Sequence, residues 1–509
     1  MKKILIEKSA YLDSVSLMRV SKKAGEAAGI ESAMVAMATD TNMLLLKEAG
    51  FDPAGAAGAT PNDLIIALHA ADGAAMEGAL ALIRREIQGG TSQPEDAEYA
   101  PGTLDAAFRA RPDVNMVFIS VPGRFAAAEA ERALIAGRHV MIFSDNVPVE
   151  DEVRLKALGR VNGLLVMGPD CGTAIVNGVG LGFANAVPRG KVGIVSASGT
   201  GAQEVSSVLA RMGVGVSQLI GTGGRDVSAA VGGVTTVMGL KALADDPGTE
   251  VIVVISKIPD EAVGHDVLDL ARQSGKPCAI WFAGQGAMPG DENLRFAGTL
   301  ADTARLAAAA ATGSEFAPPS AECVSALLAG TGAAVPAGRK FVRGLFGGGT
   351  LGQEAVFLLR PCLGTINTNM KLPGTSLLAD PAVSEGHTIV DLGDDAFTRG
   401  RAHPMIDQSY KLARLAREFE DPGTAVILMD VVLGHGCNRD PGGEIAETVR
   451  ALRQKHGAKG APVVVVGLCG TYEDPQGYAR QMQEMESAGA VVAETNELAC
   501  MVVARLAGE

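Results

Sequence analysis

Aromatic residues make up only 4% of the 509-residue chain, with a single tryptophan, while glycine occurs 64 times. Such a composition suits helices packed closely on parallel sheets through tight turns better than an all-β sandwich. The seven cysteines include no C-x-x-C pair, and scattered single thiols read as reduced, mostly buried residues of a cytoplasmic protein. No His, Cys and carboxylate spacing matches a zinc site, so no metal is expected. Long basic runs are also missing, and the formal net charge is -14. That charge argues against nucleic-acid and anionic-membrane partners. The longest uncharged span, Cys171 to Pro188, is Gly-rich and holds Asn177 and Asn185, which excludes a membrane helix. The amino-terminal apolar run breaks at Glu7 and Lys8, too soon for a signal peptide.

What is present is concentrated in Lys191 to Glu204, KVGIVSASGTGAQE. Val192 to Val195 has the length and β-branched content of a buried strand, and a helical pattern begins near Ala202. Between them, Thr200 and Gln203 have the T-x-x-Q spacing of a capping box. A strand that ends in small residues and opens a helix leaves N–H groups and a positive dipole end facing outward, which suits a phosphate or carboxylate. A Gly-rich turn that merely gives the backbone room is the alternative. The signature recurs: Gly349, Thr350, Gln353 and Glu354 repeat Gly199, Thr200, Gln203 and Glu204.

Taken in order, residues 1–100 read as a small α/β domain ending in the polar loop Gly89 to Ala97. Residues 101–188 alternate strand and helix as a Rossmann-like segment without G-x-G-x-x-G. Residues 189–314 form a third unit, 315–338 a linker with one helix, and 339–509 a fourth unit that repeats the third. Asp246-Pro-Gly-Thr249 is answered by Asp421-Pro-Gly-Thr424, and the strand after Gly275 by the strand after Gly460. The expected fold is therefore α/β, with two tandem flavodoxin-like, doubly wound domains following the Rossmann-like segment.

On these residues the chain resembles the CoA-ligase superfamily of succinyl-CoA synthetase. KVGIVSASGTGAQEV is similar to the opening of the α-subunit's ligase domain, and Gly168-Pro169-Asp170-Cys171-Gly172 to its G-P-N-C-x-G turn. Val390 to Asp394 and Asp430 to Gly436 resemble the carboxyl-terminal domain of the β subunit. With the stretches Tyr11 to Met18 and Val35 to Thr39, the full arrangement resembles the FdrA family. The synthetases' phosphorylated histidine then falls at Leu294 to Gly298, where Phe296 stands, and no ATP-grasp domain fits between Ser314 and Arg339. The resemblance implies two facing helix N-termini, Ser198-Gly199-Thr200-Gly201 and Gly434-His435-Gly436, that hold a phosphoryl group. It further implies a subunit of oxamate carbamoyltransferase, moving a carbamoyl group between carbamoyl phosphate and an oxamate-like acceptor in ureide catabolism. Carbamoyl phosphate is then a substrate and CoA is not required. Partner subunits of a hetero-oligomer, or further copies of the chain, are expected. Two alternatives stand beside this: an acyl-CoA synthetase whose ATP-handling part lies on a partner chain, and a non-catalytic regulatory subunit.

His435, in a Gly-flanked loop after an expected strand, and His403, close to Arg399 and Arg401, are the expected general bases or carbonyl hydrogen-bond donors. Arg225, Arg401, Asn438 and Arg439 are the expected substrate contacts, since arginines clamp carboxylates bidentately. Cys171 and Cys437 sit in candidate loops but have no base beside them in sequence, so thiol catalysis is not expected.

Overall fold

The computed structural model describes all residues except 9–13, 39–41, 44–45, 48, 61–62, 89–100, 287, 399–400, 458–459 and 509. The chain separates into two compact units. One comprises Met1–Pro112 with Asp394–Ile406, and the other Asp113–Gly393 with Asp407–Glu509.

In the first unit, β1 (Lys2–Glu7), β2 (Ile30–Met37) and β3 (Leu64–Ala70) form an antiparallel sheet in the order β1-β3-β2. Helices Ser14–Gly25 and Gly73–Gln88 cover one face, through Leu17, Val20, Met76 and Ile83 packed on Val35, Ile66 and Leu68. The polar loop Gly89 to Ala97 lies outside the described residues, apart from the helix end before it.

The second unit opens with β4 (Met116–Ile119), β5 (His139–Ile142) and β6 (Val166–Met167), parallel and in that order. A hairpin follows, β7 (Thr173–Val176) and β8 (Val179–Gly182), whose two-residue turn is Asn177-Gly178 with φ of 51° and 81°. Both values are left-handed, which is why Asn-Gly closes such hairpins. The hairpin joins the next sheet rather than the preceding one. With β9 (Arg189–Ser196), β10 (Val216–Gly221), β11 (Val251–Ser256), β12 (Cys278–Phe282) and β13 (Leu294–Phe296), the order is β13-β12-β11-β9-β10-β7-β8. The sheet boundary therefore falls before Thr173 and not at 188.

The third sheet contains β14 (Phe341–Phe346), β15 (Ile366–Thr368), β16 (Ser376–Leu377), β17 (His387–Asp391), β18 (Thr424–Val432), β19 (Val463–Cys469) and β20 (Val491–Ala493). Its order is β16-β15-β17-β14-β18-β19-β20. Stripped of their extra edge strands, the two large sheets share one parallel order, β10-β9-β11-β12-β13 and β17-β14-β18-β19-β20. The expected duplication is thus a structural one, and the doubly wound α/β class holds. Central strands read as unbroken apolar runs because helices bury both of their faces; every residue of β11, β18 and β19 is buried. No helix among the described residues is long and apolar enough to cross a membrane.

Candidate functional site

In each repeat the first strand ends where neighbouring strands leave in opposite directions, which is where ligands of open parallel sheets bind. Strand β9 feeds the helix Gly199–Arg211 and β14 feeds Gly349–Leu363. The two helices meet at their N-termini. Ser198 Oγ donates to Thr350 Oγ1 at 2.6 Å and accepts from the Gly201 N–H at 2.9 Å. Reciprocally, a Cβ on Gly348 would lie 2.8 Å from the Thr200 side chain, so only glycine lets the turns approach this closely. Ser198, not Thr200, is therefore the N-cap. Gln203 does not reach back to close a capping box; its amide donates to Asn185 Oδ1 at 3.2 Å and to the Leu433 carbonyl at 3.3 Å.

The facing partner of the Gly199 turn is thus Gly349-Thr350, and not Gly434-His435-Gly436. The latter is a turn between β18 and the helix Pro441–His456. Two of its donors are already engaged: Gly434 N–H with Gln476 Oε1 at 3.1 Å, and His435 N–H with the Ala184 carbonyl at 2.8 Å. Gly434 has φ of 122°, and a Cβ there would lie 2.7 Å from the Ala184 oxygen. Its glycine is a backbone requirement rather than a phosphate contact. The His435 ring is exposed.

One turn further along the two helices, Glu204 and Glu354 are both buried. Each accepts from the N-terminus of the opposite repeat's last helix: Glu354 from Leu300 N–H at 2.6 Å, and Glu204 from Asn496 N–H at 3.0 Å. The Asn496 amide also donates to Glu354 at 2.7 Å. Burial pushes the Glu354 carboxyl up to about 8, against the pull of the Asn496 and Leu300 hydrogen bonds, and burial likewise raises Glu204.

Other expected contacts turn out to be structural. Arg225 pairs with Glu152 at 2.9 Å and donates to the Val147 carbonyl at 2.9 Å. Its neighbour Asp226 takes Lys156 at 2.6 Å and the N–H groups of Thr235 and Thr236, which caps the helix Val234–Asp245. Asn438 donates to Glu444 and accepts from Asp440 N–H at 2.8 Å, shaping its own turn. Arg439 is exposed. Arg401 and His403 group with the first unit; His403 Nδ1 accepts from Met405 N–H at 3.2 Å, and Arg399 lies outside the described residues. Burial raises both Cys171 and Cys437 to about 12, with the Asp474 charge adding to the effect at Cys437. Neither is a thiolate near neutral pH.

Phe296 lies in the edge strand β13, paired with Ile280 of β12. The Ala283–Asn293 connection before it contains no histidine. The place expected for the phosphorylated residue is therefore a strand, and its loop carries no acceptor of that kind.

Asn185, Asp474 and Gln476 were not expected, yet they hold the 434 turn: Asn185 bonds the Leu433 carbonyl at 2.9 Å and Asp474 at 2.8 Å. The paired Q-E at 203–204 and 353–354 was the one signal for the buried carboxylates, since charge recurring at the same step of two apolar helices needs a reason.

Family models match three stretches: an "AllF, heavy metal-associated domain" at residues 1–101, a "CoA binding domain" at 188–284 and a "CoA-ligase" at 345–506. The CoA-binding match falls on the first large sheet, not on 101–188. Residues 1–101 contain no cysteine. Among the described residues no group of three or more His, Cys, Asp or Glu could hold a metal ion. The chain is 32% identical over 181 residues to the alpha subunit of an ADP-forming succinate–CoA ligase from Methanothermobacter thermautotrophicus, spanning 35% of this chain and 60% of that subunit. A dinucleotide-forming acetyl-coenzyme A synthetase 1 from Ca. Korarchaeum cryptofilum, solved with phosphate and ADP, superposes with a TM-score of 0.33 at 15% identity, covering 82% of this chain and 86% of that one. Over 501 residues, 97% of this chain and 96% of the relative, it is 41% identical to the uncharacterized protein YahF of Escherichia coli. The chain belongs to the family of YahF, and carries CoA-ligase-like domains within it.

Proposed function

We propose that this chain is the acyl-transferring part of an acyl-CoA-synthetase-type system, interconverting an acyl-CoA and an acyl phosphate, with ATP handled by a partner chain. The observation that carries the reading is the head-to-head meeting of the Gly199 and Gly349 helices. It brings the ligand-binding crevices of both repeats to one place, in the stretches that match the CoA-binding and CoA-ligase models. A phosphate oxygen attacks the thioester carbonyl, the C–S bond breaks, and the CoA thiolate leaves and takes up a proton. The positive dipole end at Gly199 and Thr200 favours the phosphate.

A second reading starts from a ready-made acyl phosphate, as in carbamoyl transfer from carbamoyl phosphate to an oxamate-like acceptor. The loop Ala283–Asn293 favours it, because it offers no histidine for a phosphoryl relay. Phosphate-dependent release of free thiol from a panel of acyl-CoAs separates the two. The synthetase-type reading expects release that is lost in Gly199→Val with the fold intact; a Cβ at Gly199 makes only an ordinary 3.4 Å contact with Thr173 Oγ1. Consumption of carbamoyl phosphate with oxamate, and no thiol release, would transfer the assignment to the second reading.

A further inference from the structure

On the same repeat–repeat seam, but away from the helix N-termini, the β7–β8 hairpin and the 471–473 loop flank a half-open cavity of about 600 Å³. Its volume lies in the range of small-molecule sites, about 300–1,000 Å³. Ala210 and Arg211 line it at the far end of the helix that starts at Gly199, so it lies about 18 Å along that helix from the turn, at about 1.5 Å per residue.

The walls are of two kinds. Ile175, Val187, Pro188 and Ala210 form an apolar surface, and Arg211, His435 and Glu473 bring charge or hydrogen-bonding capacity to its margin. The polar wall residues Asn185 and Thr471 have their side chains engaged, Asn185 with Leu433 and Asp474, and Thr471 Oγ1 with the Ala186 carbonyl at 2.8 Å. They close the wall and leave recognition to the charged groups. Those groups are held in place. Arg211 donates to the Gly470 carbonyl and, at 2.7 Å, to the Glu494 carbonyl, and stacks 5.4 Å from the Tyr478 ring centre. Asp474 pins the Glu473 turn by accepting from Ala186 N–H at 2.7 Å and Thr471 N–H at 2.7 Å. His435 is anchored by its backbone while its ring stays exposed.

We infer that this cavity binds a compact ligand with a short apolar body, an anionic group facing Arg211 and His435, and an ammonium or amide N–H facing Glu473. Nothing in the proposed acyl transfer requires such a site. Because residues of both repeats form its walls, an occupant ties the halves together and stabilises the fold by mass action.

The test uses the full chain with three probes of similar body: 4-aminobutyrate, butyrate and butyramide, followed by thermal shift and calorimetry. The expected result is saturable binding of 4-aminobutyrate, at least about tenfold tighter than either one-ended probe, or about 1.4 kcal/mol. Ala210→Trp, which sets an indole against the apolar wall, weakens 4-aminobutyrate binding at least about tenfold. Glu473→Gln, at an exposed position, brings 4-aminobutyrate and butyrate to equal affinity. Absence of saturable binding by all three probes overturns the inference. So does an unchanged affinity in Ala210→Trp, or an unchanged preference in Glu473→Gln should the tryptophan variant not fold. Thiol release from acyl-CoA is measured separately, so the two assignments stand or fall apart.

Discussion

In the first repeat the N–H of Ala197, just before the helix, is donated to the carbonyl of Ile255 at 2.9 Å; at the matching place in the second, Gly347 donates to the Asp430 carboxylate at 2.8 Å. Gly348 donates to the other oxygen of Asp430 at 2.7 Å, and the buried Lys411 ammonium approaches the first oxygen at 2.5 Å. The Asp391 carboxylate crowds Gly349 as well. One topology thus carries two electrostatic solutions. The second repeat fills its helix N-terminus with its own carboxylate, which a ligand anion would have to displace. In the first, hydroxyls take that place, Ser196 Oγ accepting from the Ser198 N–H at 3.1 Å and Ser198 Oγ from the Gly201 N–H at 2.9 Å, with Gly199 and Thr200 only half-buried. The two repeats thus differ in an occluded turn and a more accessible one, and under the proposed function the phosphate-bearing substrate belongs to the more accessible side.

The largest expected way to break this comparison is Asp430→Ala. It leaves the Lys411 charge buried without its partner and two N–H groups without acceptors, and should cost about 3–5 kcal/mol by denaturant titration. Asp430→Leu combined with Lys411→Met should recover most of that loss; a double variant as unstable as the single would show that the carboxylate does more than balance the lysine.

The paired glutamates give the next effect. With its carboxyl raised from 4.5 to about 8 in the folded chain, Glu354 holds a proton that the unfolded chain releases. Its contribution is fully present below about 4.5 and is lost as pH rises to about 8. Glu354→Gln should flatten stability across that window, read from melting temperature against pH. An unaltered profile would place the titration elsewhere.

Gly348→Ala should follow, at about 1–3 kcal/mol, because the added methyl meets Thr200. Ser198→Ala should cost about 1–2 kcal/mol through loss of the cap and of the Thr350 contact. Similar losses from both would confirm that the two turns are held by each other. Arg225→Ala belongs in the same range: its own side chain is 41% exposed but Glu152 is fully buried, and with Lys156 still on Glu152 the lost partner should cost about 1–3 kcal/mol. Ligand binding should not change, and a loss there would return Arg225 to the site.

The duplication was legible in the sequence because it is written locally: the repeated G-T-x-x-Q-E and D-P-G-T segments each specify a turn or a strand entry, and parallel pairing follows from the alternation of elements. The pairing of the two turns was not. Thr350 lies 152 residues from Ser198, and no local pattern says which of several Gly-rich turns a helix end will face; Gly434-His435-Gly436 follows an apolar strand just as Gly347-Gly348-Gly349 does. Arg225 looked available for the same reason. An arginine after a glycine loop reads as a free anion receptor until folding brings up Glu152, which lies in a helix that sequence shows only as charged. The cavity was beyond reach as well, since its walls come from positions 175 to 473 and exist only once the halves close on each other.

The account rests on an accessible first repeat that takes CoA-linked acyl groups, and isothermal calorimetry of the full chain with coenzyme A tests it most directly. Saturable binding that is lost in Gly199→Val and retained in the Asp430→Leu, Lys411→Met double variant is the predicted result. No binding of coenzyme A, together with saturable binding of carbamoyl phosphate, would contradict it.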